Sequence, residues 1–145
     1  MKTTLIIALL LGLTCIAQAH EHKPPHEGTL VVFGKELAHL EFVLDAENGK
    51  LTAYALDGEA EYPVRIMQKY IDVSITPQGS KESFALRLVA MGNVLTGELP
   101  GDTSQFEGES DKLKGVSDFE GVVSKVKLRG HEFKKTEFNY PKGNE

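Results

Sequence analysis

From Thr29 onward, apolar side chains recur at every second position in short runs, the period of a strand with one buried face. Thr29 to Phe33 opens the series. Ala38 to Asp45 follows with Leu40, Phe42 and Leu44 on one face, and Leu51 to Asp57 comes next. Asn48-Gly49, between the last two, is a hairpin signal, because that pair tolerates the positive φ a tight turn needs. Further strands are predicted over Tyr62 to Met67, Ile71 to Thr76, Ser83 to Ala90, Leu95 to Leu99, Gly121 to Leu128 and Glu132 to Tyr140, with a tight turn at Arg129-Gly130. Short strands at this spacing, broken by Gly, Pro and Asn, predict an all-β fold: an antiparallel β-sandwich of immunoglobulin-like type, or a barrel, of about 7–9 short strands.

Two of these segments also fit a helix. Lys35 to Asn48 sets Leu37, Leu40 and Leu44 at helical spacing, and Glu82 to Met91 is rich in helix formers. The strand reading is preferred, since each strand needs a paired neighbour. Pro100 to Gly121 is the longest stretch without a period; Phe106, Leu113, Val116 and Phe119 anchor it as a packed loop or a broken edge strand.

The start of the chain is of another kind. Lys2 precedes an apolar run from Leu5 to Leu13 that ends near Ala17-Gln18-Ala19, the three-part pattern of an export signal cut after Ala19. The run is about half the roughly 20 residues that cross a bilayer, so no membrane span is expected. The chain thus divides into a signal peptide (1–19), a flexible His/Pro-rich tail (20–28) and a single domain (29–145), with a periplasmic or secreted address. Lipid attachment at Cys15 is the alternative, although Gly12-Leu13-Thr14 is a poor match to the sequence that normally precedes it.

Composition narrows the chemistry. The 145 residues carry 16 basic and 21 acidic side chains, a formal charge of −5, and removing Lys2 with the leader makes the remainder more acidic still. Without a clustered basic stripe, nucleic acid is not the expected partner. Cys15 is the only cysteine, and it falls in the leader, which excludes disulfides, thiolate metal sites and a cysteine nucleophile from the mature chain. Neither Gly108-Glu109-Ser110-Asp111 nor Gly115-Val116-Ser117-Asp118 closes a nucleophile elbow. His131-Glu132-Phe133 lacks the second histidine of a metalloprotease helix. The acidic residues from Asp102 to Glu120 lack calcium-loop spacing and suit a solvated loop. An enzyme is therefore not expected.

The histidines are unevenly placed: three of five fall between His20 and His26. Cleavage after Ala19 would put a free amine on His20 and an imidazole on the third residue, His22. Amine, two amide nitrogens and that imidazole can surround Cu(II) or Ni(II) in a square plane. Proline enters only at Pro24, so both amides are available. His26 could add a ligand, and the three histidines with a glutamate could hold Zn(II). A second arrangement uses the amine and ring of His20 with one imidazole from the domain, His39 or His131, as at the N-terminal histidine of secreted copper carriers and some copper oxygenases. His39 shares a strand face with Glu41, away from Leu40 and Phe42. The stiff Lys23-Pro24-Pro25 arm is expected to hold the terminus off the domain, and solvated polar roles for His39 and His131 are the commoner outcome.

His26-Glu27-Gly28-Thr29-Leu30-Val31, then Ala38 to Asp45, Gly49 to Tyr54, Leu56-Asp57, Phe119 to Val123 and Phe138 to Pro141 resemble small exported bacterial proteins of poorly defined role. They are also similar to segments that precede periplasmic adaptor subunits of heavy-metal efflux systems. Such segments tend to read His-Gly-Gly where this chain has His26-Glu27-Gly28. The resemblance implies a non-enzymatic periplasmic module near metal handling, with an efflux adaptor or another envelope protein as partner. The competing reading is a structural or protein-interaction module of the envelope with no metal role.

Overall fold

Strands form where the alternation is strongest. The computed structural model describes residues 22–145 and contains β1 (Thr29–Phe33), β2 (Ala38–Asp45), β3 (Lys50–Asp57), β4 (Tyr70–Pro77), β5 (Phe84–Ala90), β6 (Gln105–Glu109), β7 (Phe119–Leu128) and β8 (His131–Tyr140). The leader assigned to 1–19, with Cys15, and His20 of the tail lie outside the described residues. All eight strands pair antiparallel in one sheet of order β1-β2-β3-β6-β5-β4-β7-β8, which curls into a nearly closed barrel. Of the two all-β forms predicted, the chain adopts the barrel. No helix among the described residues is long and apolar enough to cross a membrane.

Inward-facing positions fill the barrel. Val31, Leu40 and Ala55 lie in register across β1, β2 and β3, and all three are inaccessible to solvent. Removing such side chains from water is the main favourable contribution to folding. Phe42 stacks on Phe138 at 4.6 Å, and Phe119 stacks on Tyr140 at 5.0 Å, so aromatic pairs tie β2, β7 and β8 together.

The barrel closes without a last ladder. β1 and β8 do not pair as strands; instead the Asn144 side chain donates from Nδ2 to the Val32 carbonyl (3.0 Å) and accepts the Val32 N–H at Oδ1 (2.8 Å). The amide thereby imitates a strand residue. Asn139 and Gly143 exchange backbone hydrogen bonds, which folds the chain back far enough for Asn144 to reach β1. Thr29 adds a hydroxyl bond to the Pro141 carbonyl at 3.1 Å.

Some segments depart from expectation. The two helical alternatives are strands, because residues 38–45 and 84–90 each find partners on both sides. Tyr62 to Met67 is not a strand: Pro63 lacks a donor, and only isolated bridges, Leu56 to Pro63 and Ile66 to Thr103, hold it. Leu95 to Leu99 belongs mostly to a turn closed by reciprocal Asn93 and Glu98 hydrogen bonds at 2.9 Å. Conversely, the stretch expected to be a loop or broken edge contains β6, an interior strand between β3 and β5. The predicted turns are present, with positive φ at Gly49, Arg129 and Gly130.

Strand directions also sort the connections. Segments 34–37, 58–69, 91–104 and 129–130 gather at one end of the barrel, and 46–49, 78–83 and 110–118 at the other.

Candidate metal-binding site

β2 is buried on both faces. Ala38, Leu40 and Phe42 point into the core, while His39 and Glu41, pointing outward, are also fully buried. Residues 22–28 provide the cover. Lys23, Pro25, His26 and Glu27 are exposed, as expected of a tail, but the described part is not held off the domain. The physical reason is Glu41. Its Oε1 accepts the backbone N–H of His26 and of Gly28, both at 2.8 Å, and its Oε2 meets His26 Nδ1 at 2.7 Å. Charge-assisted bonds of this kind are about twice as strong as neutral ones. The His26 ring also stacks on Tyr54 at 3.7 Å with the planes 5° apart. Burial, with the nearby Glu107 and Glu41 carboxylates, pushes the Tyr54 hydroxyl above its ordinary pKa.

Gly28 allows the close approach. A Cβ there would stand 2.4 Å from the Phe42 carbonyl oxygen and 2.8 Å from Val43 Cγ2. With the arm drawn down at this point, the Pro24-Pro25 stretch runs back along the barrel and delivers His22 to His39. Their rings meet edge to face with centroids 5.2 Å apart. His22 has a side chain only 11% exposed, with Nε2 3.6 Å from Glu36 Oε1, too long for a hydrogen bond.

The nitrogen bookkeeping at His39 is informative. Its Nδ1 lies 2.9 Å from the Asp57 carbonyl oxygen, which can only accept, so Nδ1 carries the proton. In the neutral ring that leaves the lone pair on Nε2. Both His39 Nε2 and His22 Nε2 are buried without a hydrogen-bond partner. Unpaired buried polar atoms are costly and uncommon. An imidazole whose far nitrogen is fixed by a backbone carbonyl while the near one is free is the arrangement of a metal-ligating histidine.

Asp57 is itself held in place. Its burial raises its pKa, but the N–H groups of Glu61, Tyr62 and Glu59, together with Arg129, outweigh that and leave it lowered. The two histidines open onto a cleft of about 320 Å³ that Pro24, Leu30, Lys142 and Glu145 also line.

The remaining predicted ligands are dispersed. His26 is close by in sequence, but its Nδ1 is committed to Glu41. His131 opens β8 opposite Leu128, exposed to solvent, and does not join the pair. Among the described residues, no three His, Cys, Asp or Glu side chains are gathered for one ion. His22 and His39 therefore supply two donors, and His20 lies outside the described residues. The carboxylate that organises the site, Glu41, was not among the predicted ligands. Its signal was a charged residue on the same outward face as His39, one strand beyond the polar tail.

No protein-family model, curated protein or solved structure matches this chain.

Proposed function

We propose that this is a non-enzymatic, exported binder of a divalent transition metal, Cu(II), Ni(II) or Zn(II), centred on His22 and His39. The observation that carries the reading is the meeting of two histidines, His22 and His39, beside one cleft, each with a buried Nε2 that has no hydrogen-bond partner. Borderline cations such as these favour imidazole nitrogen, and the Glu36 carboxylate adds negative charge nearby. The amine and ring of His20, created by cleavage after Ala19, would complete the coordination. In this form the tail and the domain bind together, which favours the two-imidazole arrangement over a square plane made by the terminus alone. A periplasmic address and delivery to an efflux adaptor belong to the same proposal.

The test begins with mass spectrometry of the natural terminus, followed by calorimetric titration with each metal. His39→Ala is expected to weaken binding at least about tenfold, the loss of one ligand's worth of affinity. His131→Ala is expected to change nothing. If His22→Ala abolishes binding while His39→Ala has no effect, the ion is held by the terminus alone. Affinity indifferent to both substitutions removes the metal reading.

A further inference from the structure

Glu36, so far only a nearby charge, stands where a third ligand would. Its Oε1 lies 3.6 Å from His22 Nε2, and its carboxylate is 57% exposed beside a His22 side chain that is nearly covered. A nitrogen and an oxygen bound to one tetrahedral zinc ion at about 2.1 Å stand about 3.4 Å apart, whereas neighbours in a square plane stand about 2.9 Å apart. The rings agree. Two imidazoles on a tetrahedral ion have centroids about 5.2 Å apart, against about 4.5 Å for neighbours in a square plane. Those of His22 and His39 are 5.2 Å apart. An edge-to-face contact alone allows that spacing, but it does not explain why both Nε2 atoms are buried without a partner.

The end of β3 supports both His39 and Glu36. The Asp57 carbonyl accepts from His39 Nδ1 at 2.9 Å, and Gly58, the next residue, has no side chain to obstruct the Glu36 carbonyl. The turn that carries Glu36 is closed by the Leu37 N–H on the Phe33 carbonyl at 3.1 Å, which fixes where the glutamate side chain starts. Among the described residues no three donors surround one point. With the His39 ring pinned by Asp57, the His22 ring and the Glu36 carboxylate are the parts that turn to meet an ion.

We infer that Glu36 is the third ligand and that the ion is Zn(II), held tetrahedrally by His22 Nε2, His39 Nε2 and one Glu36 oxygen, with the fourth position open to His20. Cu(II) and Ni(II) with nitrogen and oxygen ligands favour a square plane, whereas Zn(II) has no such preference and takes the tetrahedron. The inference rests on the proposed function and selects among its three metals.

The test titrates the protein, with its natural terminus, with Zn(II). Glu36→Gln is expected to weaken binding at least about tenfold, since even the outer partners of metal ligands cost that much. Glu27→Gln removes the same charge from an exposed position on the arm and is expected to leave affinity at the parent's value. Co(II), a visible stand-in for Zn(II), is expected to show the intense absorption of four-coordinate cobalt in the parent and to lose it in Glu36→Gln. Thermal melting without metal checks that both variants fold. Zinc affinity that falls for His22→Ala and His39→Ala but not for Glu36→Gln overturns this inference alone and leaves Glu36 an ion-pair partner of His22. Weak, six-coordinate cobalt absorption in the parent, or an equal loss in Glu27→Gln, also overturns it. Affinity indifferent to both histidine substitutions removes the metal reading and this inference with it.

Discussion

Glu41 holds His26 twice, once through the backbone N–H and once through the ring, from a carboxylate with no solvent exposure of its own. Gly28 supplies a third bond to the same group. Residues 22–28 are thereby fastened across β2, and His22 is brought to His39. Replacing the carboxylate by Glu41→Ala is expected to release the segment into water. Because the freed N–H groups can then be hydrated, the cost should stay near 1–3 kcal/mol rather than the larger penalty of trapped donors. Urea unfolding gives that number, and faster hydrogen exchange at the His26 and Gly28 amides reports the release. Metal affinity should fall with it, although Glu41 is not a ligand.

Gly28→Ala probes the same docking by sterics. The added methyl would overlap a backbone oxygen, which cannot rotate away as a side chain can. A loss of about 1–3 kcal/mol is expected, with the segment becoming susceptible to protease. Cleavage between residues 22 and 28 at the parent's rate would show that the barrel tolerates the methyl.

Much of the barrel was legible because its strands alternate cleanly. Ala38 to Asp45 was read with the right bounds and the right faces, including the outward placement of His39 and Glu41. β6 escaped because Gln105-Phe106-Glu107-Gly108-Glu109 presents one apolar side chain, and its other inward position is a glycine. That glycine is required by packing, since a Cβ would lie 2.5 Å from the Arg87 carbonyl oxygen. Leu95 and Leu99 misled in the opposite direction: they are apolar, yet they face solvent. The histidine-rich tail was not legible as structure. Composition suggested free ligands, whereas one of them, His26, is held by Glu41, and recognising that required the tail and β2 to be in contact.

Glu98 provides the pH test. Burial raises its pKa, but the Ser104 hydroxyl, the Thr96 hydroxyl and the Ser104 N–H outweigh this, with help from Arg65, and leave it below the ordinary value. The group ionises more readily folded than unfolded. Its contribution to stability is therefore complete above the unfolded value of about 4.3 and is lost as pH falls through the lower folded value. Glu98→Gln is expected to cost about 1–2 kcal/mol near neutrality. The gap between parent and variant should close on acidification below about pH 4, as read from denaturant midpoints. A gap that persists undiminished at low pH would mean that the carboxylate's charge contributes nothing.

Gly121 lies under Phe138, and a Cβ there would come within 2.3 Å of two ring carbons. Phe138 cannot yield freely, because it stacks on Phe42 and meets Phe119 edge on. Gly121→Ala is expected to destabilise the barrel by about 1–3 kcal/mol through overpacking. Gly121 is not among the glycines with positive φ, so the loss is steric, and adding Phe138→Leu to Gly121→Ala is expected to recover part of it. A Gly121→Ala loss that is the same in the Phe138→Leu background as with the ring in place would show that the aromatic cluster is not its cause.

The seam at Val32 has a consequence for the behaviour of the protein in concentrated solution. The carboxamide of Asn144 covers the Val32 backbone at the seam between β1 and β8, which the Thr29–Pro141 bond and the Phe42–Phe138 stacking also hold, and without it that stretch of β1 would offer unmet hydrogen bonds to another molecule. Deamidation of that single side chain would replace a donor with a negative charge beside a carbonyl oxygen. It would loosen the seam and favour edge-to-edge association in concentrated solution.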